Sequence, residues 1–200
     1  MLQITWSPYS LIEEYTRKAR VIRNGEIIEI DPLEKIEKVK IEDFEFEEFV
    51  SDGLRTLLES IRAEHLEERT LRWLGHLERI KVLRGLGFFK PENVEFTLKV
   101  IAPLMQYESD DFSIMEVYGR GRLNGEKKEI HYFLYDKAKD GFTSMARVTG
   151  FTAAVITRLV AEGSCIYGVI SPEILGMRAD DTFTRIIKEL KERGITIERW

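Results

Sequence analysis

Two Asn-Gly dipeptides, each set between runs of β-prone residues, constrain the fold of this chain more than any other feature. They are Asn24-Gly25 and Asn124-Gly125. Asparagine and glycine accept the positive φ angles of a two-residue type I′ turn, which joins adjacent antiparallel strands. The sequence therefore predicts two β-hairpins, one of them long. The flanking runs are Ala19–Arg23, Glu26–Ile30, 112–123 and 126–135.

Segments with helical spacing and further short strands lie between and around the hairpins. Predicted helices cover 8–15, 54–61, 76–85, 91–103, 144–162 and 181–193, predicted strands cover 37–42, 44–49, 70–73 and 195–199, and a loop carries Pro172. Ser51 and Asp52 are predicted to cap the helix that starts at Leu54, and Asp180 or Asp181 to cap the last helix. Because strands and helices do not alternate regularly, we expect an α+β fold with a mixed, largely antiparallel sheet and flanking helices. No repeat or linker divides the chain, so 1–200 is predicted to be one domain.

Composition excludes several classes of function. The chain has 35 acidic and 30 basic residues, a net charge of −5, which argues against a nucleic-acid-binding face. Cys165 is the only cysteine, which excludes a disulfide framework and a multi-cysteine metal site and fits the reducing cytoplasm. No apolar run approaches the ~20 residues of a membrane span, and no signal peptide is recognisable. The high Glu, Lys and Arg content leans toward a thermophilic source.

Motifs for nucleotide, metal and nucleophilic chemistry are missing from the sequence. No strand is followed by Gly-x-Gly-x-x-Gly, and Gly119-Arg120-Gly121 falls inside the long hairpin. No Walker loop or Gly-x-Ser-x-Gly turn occurs. His65, His76 and His131 do not have the spacing of zinc ligands. The sequence thus predicts no complete Rossmann domain, no cofactor-binding residues and no metal ligands.

Three segments place charged and polar residues beside glycine near predicted helix starts: 51–56, 69–76 and 144–151. Helix N-termini attract anions, and the guanidinium groups of Arg72 and Arg147 suit a carboxylate. A dicarboxylate or an amino acid is therefore a candidate ligand. Simpler interpretations stay open: Trp73 as a packing residue, His76 as a capping or packing residue, and Thr149-Gly150 as a packing notch.

Taken together and in order, six motifs resemble the saccharopine dehydrogenase-like family, which includes saccharopine reductases and lysine dehydrogenases. The motifs are 4–8, 14–15 with 19–25, 51–57, 70–76, 145–150 and 168–173. Thr70-Leu-Arg-Trp-Leu-Gly-His76 is similar to the family segment with Arg-Tyr-Pro-Gly-His, and Ala146-Arg-Val-Thr-Gly150 is similar to Ala-Arg-Thr-Thr-Gly. Trp73, Leu74 and Val148 depart from the family pattern.

The resemblance covers only the second, C-terminal domain of that family and implies a function for it. Family members are NAD(P)-dependent oxidoreductases that act at the C–N bond of amino acids such as lysine or saccharopine. Their N-terminal Rossmann domain binds the cofactor, and the second domain binds substrate and often forms a homodimer. By resemblance, Arg72 and Arg147 bind the substrate carboxylate, Thr149 hydrogen-bonds it, and Trp73 and Gly150 line the substrate site. His76 hydrogen-bonds the substrate or helps to orient it, and it is the only local candidate for the catalytic base that deprotonates the amine.

Two hypotheses follow for a chain that resembles only the second domain. The first is a substrate-binding and dimerisation domain of an amino-acid dehydrogenase, inactive without its cofactor domain. The second is a non-catalytic amino-acid-binding or protein-interaction module derived from that domain. In both, the exposed edge of the hairpin from Phe112 to Tyr135 is a candidate for pairing with a partner.

Overall fold

The computed structural model describes residues 3–106, 109–164, 168–178 and 181–200. The chain forms two compact units, Met1–Glu108 and Ser109–Trp200. The prediction that 1–200 acts as one domain stays a prediction.

The first unit contains both small sheets of the N-terminal half. Its elements are α1 (Pro8–Thr16), β1 (Ala19–Arg23), β2 (Glu26–Ile30), β3 (Glu37–Ile41), β4 (Phe44–Ser51), α2 (Leu57–Ser60), β5 (His65–Leu66), β6 (Glu68–Trp73), α3 (His76–Gly85) and α4 (Pro91–Met105). One sheet has the order β2-β1-β5 and the other β3-β4-β6, both antiparallel. The predicted hairpin at Asn24-Gly25 is confirmed, with φ of 52° and 80°.

The core of the first unit is built around α1 and β4. Leu11, Ile12 and Tyr15 share one face of α1, as residues three and four apart must. They pack in one cluster with Phe49 of β4 and Leu77 of α3, all nearly inaccessible to solvent. Burying each such side chain contributes roughly 1.5–3 kcal/mol, so this cluster fixes α1 against the sheet.

The second unit is dominated by the long hairpin. Its elements are β7 (Phe112–Leu123), β8 (Glu126–Lys137), α5 (Ser144–Ala146), a π-helical segment (Arg147–Phe151), α6 (Thr152–Ala161), α7 (Pro172–Arg178), α8 (Thr182–Glu192) and β9 (Ile197–Arg199). The strand order is β7-β8-β9, and both pairings are antiparallel. The predicted turn at Asn124-Gly125 is confirmed, with φ of 53° and 84°. Leu134, Leu190 and Ile195 form the core of this unit.

Four sequence predictions about local structure are wrong. The helix predicted over 54–61 shortens to α2, because Arg55 takes a left-handed φ of 50°. Ser51 and Asp52 are therefore not its caps, and Ser51 ends β4. The helix predicted over 144–162 is interrupted by the π-helical segment, and Pro172 begins α7 in place of a loop. By contrast, Asp181 occupies the predicted N-cap position of α8, although its side chain makes no capping hydrogen bond, and Asp180 lies outside the described residues.

The α+β fold class is confirmed, but the strands form three small sheets in place of one. Every strand pairing among the described residues is antiparallel, which matches the hairpin-rich sequence. Within that same part of the chain, no helix is both long and apolar enough to cross a bilayer. The described ranges also contain no group of His, Cys, Asp and Glu placed to hold a metal ion.

Candidate functional site

Arg72 lies at the centre of a buried polar cluster in the first unit. It is 7% exposed, on β6, and its side chain lies against α1. Nε donates to the Tyr15 hydroxyl at 2.8 Å, Nη1 donates to the Leu71 carbonyl at 2.8 Å, and Nη2 donates to the Glu14 carboxylate. A guanidinium has five N–H donors, so these three bonds leave two without a partner among the described residues. The Trp6 ring centre lies 5.9 Å from the guanidinium carbon.

Tyr15 joins Arg72 to His76, the candidate base. The Tyr15 oxygen lies 3.0 Å from His76 Nε2. Because that oxygen already accepts from Arg72, we assign its hydrogen to His76 Nε2, which places the imidazole proton on Nδ1. Burial, and after it the nearby positive charge of Arg72, lowers the pKa of His76 to about 4. The neutral ring is thus a hydrogen-bonding partner at pH 7 and only a weak proton acceptor.

This depressed pKa predicts an acid-sensitive fold. In the unfolded chain, His76 has its ordinary pKa of 6.5 and becomes protonated below that pH. In the folded protein the same side chain stays neutral until about pH 4. The contribution of His76 to the free energy of unfolding is therefore fully present above pH 6.5. It is lost as the pH falls, and the free energy of unfolding drops by about 2 kcal/mol between pH 7 and 5. Urea unfolding of wild type and His76→Gln at both pH values measures this loss.

Comparison with His76→Gln isolates the histidine from other titrating groups. Burial raises the pKa of Glu14, against the opposing effect of Arg72, and that shift stabilises the fold as the pH falls. Because both proteins keep Glu14, its contribution cancels in the difference. An equal loss of stability in the two proteins would contradict the assigned pKa of His76.

A charged pocket of about 140 Å³ lies beside this cluster. Its lining residues are Glu13, Glu14, Arg17, Ser51, Asp52, Gly53, Arg55, Glu68 and Thr70. Four carboxylates and two guanidinium groups thus face one small space. The pocket is formed by α1, the ends of β4 and β6, and the first residues of the 51–57 motif.

Ser51 organises one wall of the pocket. Its hydroxyl donates to Glu68 Oε2 and lies 2.6 Å from the Thr70 hydroxyl. A Cβ placed on Gly53 would come within 2.7 Å of the same Glu68 oxygen. Glycine at this position therefore leaves room for the Glu68 carboxylate.

Asp52, which also lines the pocket, forms ion pairs with three arginines. Its side chain is 4% exposed and lies 3.4 Å from Arg17, 3.0 Å from Arg20 and 3.4 Å from Arg55. Burial opposes ionisation of Asp52, but the hydrogen bonds from Arg20 outweigh it, so the pKa is lowered. The aspartate is therefore ionised at neutral pH and holds the arginines in place.

Glu47 explains how the segment after Arg72 is positioned. This buried carboxylate of β4 accepts from Gly75 N–H at 2.7 Å and from Leu77 N–H at 3.0 Å. It thereby caps the start of α3, where His76 is the first residue. Trp73 follows Arg72 on the strand and is 39% exposed, with its ring centre 5.0 Å from that of Phe46. It lies outside the Arg72 cluster, because adjacent strand residues face opposite sides.

Arg147 lies in the second unit, where it forms a buried ion pair. Its side chain is 3% exposed and that of Asp136 is 5% exposed. Nε and Nη2 both donate to the Asp136 carboxylate, at 3.0–3.3 Å. Ser144 Oγ donates to the same carboxylate at 2.9 Å. Among the described residues, Nη1 of Arg147 has no hydrogen-bond partner.

Thr149 and Gly150 lie on the exposed side of the π-helical segment. The Thr149 hydroxyl lies 3.5 Å from the sulfur of Met145, and a Cβ on Gly150 would meet nothing within 4 Å. π-helical turns are rare and occur frequently at functional sites, which makes this segment a candidate binding element.

The structure therefore brings only two of the predicted site residues into one cluster, Arg72 and His76. Arg147, Thr149 and Gly150 belong to the other unit. Sequence reasoning assigned no role to Tyr15, Glu14, Glu47 or Asp136. Tyr15 could have been found from its place on the apolar stripe of α1, where a tyrosine hydroxyl must find a buried partner.

These features define a class of protein: an α+β domain with a charged pocket and, among its described residues, no parallel strand pair of the dinucleotide-binding type. The family model of the saccharopine dehydrogenase C-terminal domain matches residues 2–195. The chain belongs to the saccharopine dehydrogenase C-terminal domain family.

A solved structure agrees with this membership at the level of the fold. The chain is similar to the apo, histidine-tagged saccharopine dehydrogenase (L-Glu forming) from Saccharomyces cerevisiae, with a TM-score of 0.74 and 19% sequence identity. The match covers 99% of this chain and 62% of the yeast chain. This chain thus spans under two thirds of the length of that relative.

Proposed function

We propose that this chain is the substrate-binding and dimerisation domain of an NAD(P)-dependent oxidoreductase that acts at the C–N bond of an amino acid. The observation that carries the proposal is the pocket on the 51–57 motif, which presents both carboxylates and guanidinium groups. Membership of a saccharopine dehydrogenase family supports the reaction class. We further propose that the protein acts in the cytoplasm, in lysine metabolism.

An amino acid matches the two signs of charge in the pocket. Its ammonium group suits Glu14 and Glu68, because both carboxylates line the pocket, and among the described residues Glu68 accepts hydrogen bonds from the neutral hydroxyls of Ser51 and Thr70. Its carboxylate suits Arg17 and Arg55, which are 41% and 55% exposed and therefore reachable. Charge-assisted hydrogen bonds at both ends would fix the orientation of the ligand.

The predicted site residues keep specific roles in this proposal. Arg72 binds a second carboxylate of the ligand through its two remaining N–H donors. His76 orients the ligand through a hydrogen bond. In the second unit, Arg147 has Nη1 left for a ligand, with Thr149 and Gly150 beside it on the π-helical segment. In the first unit, the exposed Trp73 is assigned as a substrate-lining residue. We assign His76 to hydrogen bonding in preference to proton abstraction, because its pKa of about 4 lies far from neutral.

A nicotinamide dinucleotide does not fit the residues present. Its usual cradle is a parallel βαβ unit with a glycine-rich turn, whereas all strand pairs in the described ranges are antiparallel, and Gly119 and Gly121 lie within β7. We therefore propose that the cofactor is bound by a Rossmann domain outside this chain, and that the chain by itself does not turn over substrate.

Calorimetric titration with saccharopine, lysine and glutamate tests the proposal. We expect saturable binding of at least one of them and weaker binding of its amide, which lacks the carboxylate. Gly53→Ala should weaken binding about tenfold, because the new methyl group must displace the Glu68 carboxylate that lines the pocket.

Gly85→Ala is the matched control, since a Cβ there meets nothing within 4 Å and the pocket does not include it. It should bind as wild type does. Absence of saturable binding for all three amino acids, or equal affinities of the two variants, would contradict the proposal. Binding without turnover after a family Rossmann domain is supplied would favour the non-catalytic module.

A further inference from the structure

Glu68 differs from the other carboxylates of the charged pocket in its lack of a cationic partner. Glu13, Glu14 and Asp52 each have a guanidinium nitrogen within 3.8 Å. Within the part of the chain that the structure describes, Glu68 forms no ion pair, and the groups that donate to its side chain are hydroxyls. Its negative charge therefore lines the pocket without a protein cation to offset it.

Three neighbours hold the Glu68 carboxylate in place. Ser51, its register partner on β4, donates to Oε2, and the Thr70 hydroxyl donates to Oε1 at 3.3 Å. A Cβ on Gly53 would come within 2.7 Å of Oε2, so the missing side chain there leaves the space that the carboxylate occupies. A carboxylate has about four acceptor sites, so two hydroxyl donors leave acceptor capacity for a ligand.

The charge of Glu68 is unfavourable in the pocket when no cation is bound there. Burial raises the pKa of Glu14, Arg72 opposes that rise, and the charge of Glu68 adds to it. The two carboxylates therefore repel each other. A glutamine in place of Glu68 would have the same shape and keep the hydroxyl contacts without this repulsion. A charge retained at such a cost to stability is typical of a functional site, and its complement is a cation that the ligand brings.

We propose that Glu68 is a specificity-determining residue, which binds the ammonium group of the ligand and so selects an amino acid over the hydroxy acid or oxo acid of the same skeleton. A hydroxyl in place of the ammonium group offers only a neutral hydrogen bond, and a carbonyl offers no donor at all, so either one leaves the carboxylate charge unpaired. The inference rests on the proposed function, because it assigns one end of the proposed ligand to one side chain of the pocket.

Calorimetry with paired ligands measures this selection. Glutamate is compared with the hydroxy acid of the same carbon skeleton, and lysine with the two analogues that carry a hydroxyl in place of one amine. Wild type should bind at least one amino acid about tenfold or more tightly than its hydroxy analogue, because the analogue loses a charge-assisted hydrogen bond. In Glu68→Gln that ratio should fall to about twofold or less, since a neutral amide no longer distinguishes the two ligands by charge. Glu68→Asp keeps the charge and should keep the preference for the amino acid.

Two further measurements separate recognition from folding. Glu68→Gln should raise the urea midpoint of the unliganded protein, because it removes the repulsion of Glu14 and keeps the hydroxyl contacts. Glu13→Gln is the matched control: Glu13 lines the same pocket, but its side chain is 60% exposed and lies 3.8 Å from Arg17. This variant should keep the wild-type ratio of affinities.

The remaining outcomes distinguish this inference from the proposed function. Equal ratios in wild type and Glu68→Gln would overturn the role of Glu68 and leave amino-acid binding intact. The same loss of selectivity in Glu13→Gln would also overturn it, because the effect would then come from the net charge of the pocket. A lower urea midpoint of Glu68→Gln with an unchanged ratio would make Glu68 a structural residue. Absence of binding of every amino acid to wild type would overturn the proposed function, and this inference with it.

Discussion

Asp136→Ala should lower the free energy of unfolding of the second unit by about 3–5 kcal/mol, the cost of leaving one member of a buried ion pair alone. The Arg147 guanidinium would keep only carbonyl partners, those of Arg193 and Gly194 at 3.4 and 3.5 Å. The Ser144 hydroxyl would lose its bond to the carboxylate as well. Urea unfolding, with amide hydrogen exchange to locate the loss in 109–200, measures the effect.

Two further variants separate the buried charge from a general effect of mutation. Asp110→Ala removes an exposed aspartate from the same unit and should change stability by less than about 0.5 kcal/mol. Asp136→Leu combined with Arg147→Met replaces the pair with apolar side chains and should recover most of the lost stability. If Asp136→Ala cost no more than Asp110→Ala, the buried pair would not be the anchor of this unit.

Arg72→Ala should remove saturable amino-acid binding and lower the free energy of unfolding of the first unit by about 3 kcal/mol. The variant leaves Glu14 without its cationic partner and Tyr15 without its donor, and both groups are largely buried. Calorimetry measures binding, and urea unfolding measures stability. Binding is measured well below the unfolding midpoint so that the two effects stay separate.

Arg72→Lys and Arg62→Ala are the controls for this prediction. Lysine keeps the positive charge but lacks the planar fork, so stability should be partly retained while binding stays weak. Arg62 is exposed, so its replacement should change neither quantity. Wild-type affinity in Arg72→Ala would exclude Arg72 from the binding site.

Local features of the sequence predicted much of the fold. The Asn-Gly turns predicted both hairpins, because asparagine and glycine accept positive φ angles. Pro8 and Pro91 marked helix starts, because proline fixes φ and lacks an N–H, and Gly75 precedes α3 with a φ of 77°. The pairing of β4 with β6 joins residues far apart in sequence, from Ser51 with Glu68 to Phe46 with Trp73. The contact between Glu47 and the start of α3 joins residues 28 and 30 positions apart. No local pattern reports such a contact.

The candidate site was harder to predict for the same physical reason. Arg72 was recognised from its motif, but its partners Tyr15 and Glu14 are 57 and 58 residues away on α1. The sequence indicates 51–56 as a candidate binding segment, but it favours Ser51 and Asp52 as helix caps and so does not predict that they line a pocket with α1 and β6. The left-handed φ of Arg55 prevents the helix that those caps would have required.

The π-helical segment has a consequence for the geometry of the helix that follows it. Arg147, Phe151, Val155 and Leu159 recur every four residues and are all at least partly buried. With 3.6 residues per turn, a regular α-helix would let this series drift steadily around its circumference. The wider π-helical turn between Arg147 and Phe151 offsets part of this drift, so the charged residue lies closer to the face that carries the apolar residues. A single irregular turn thus keeps one ion pair and one hydrophobic face in register with each other.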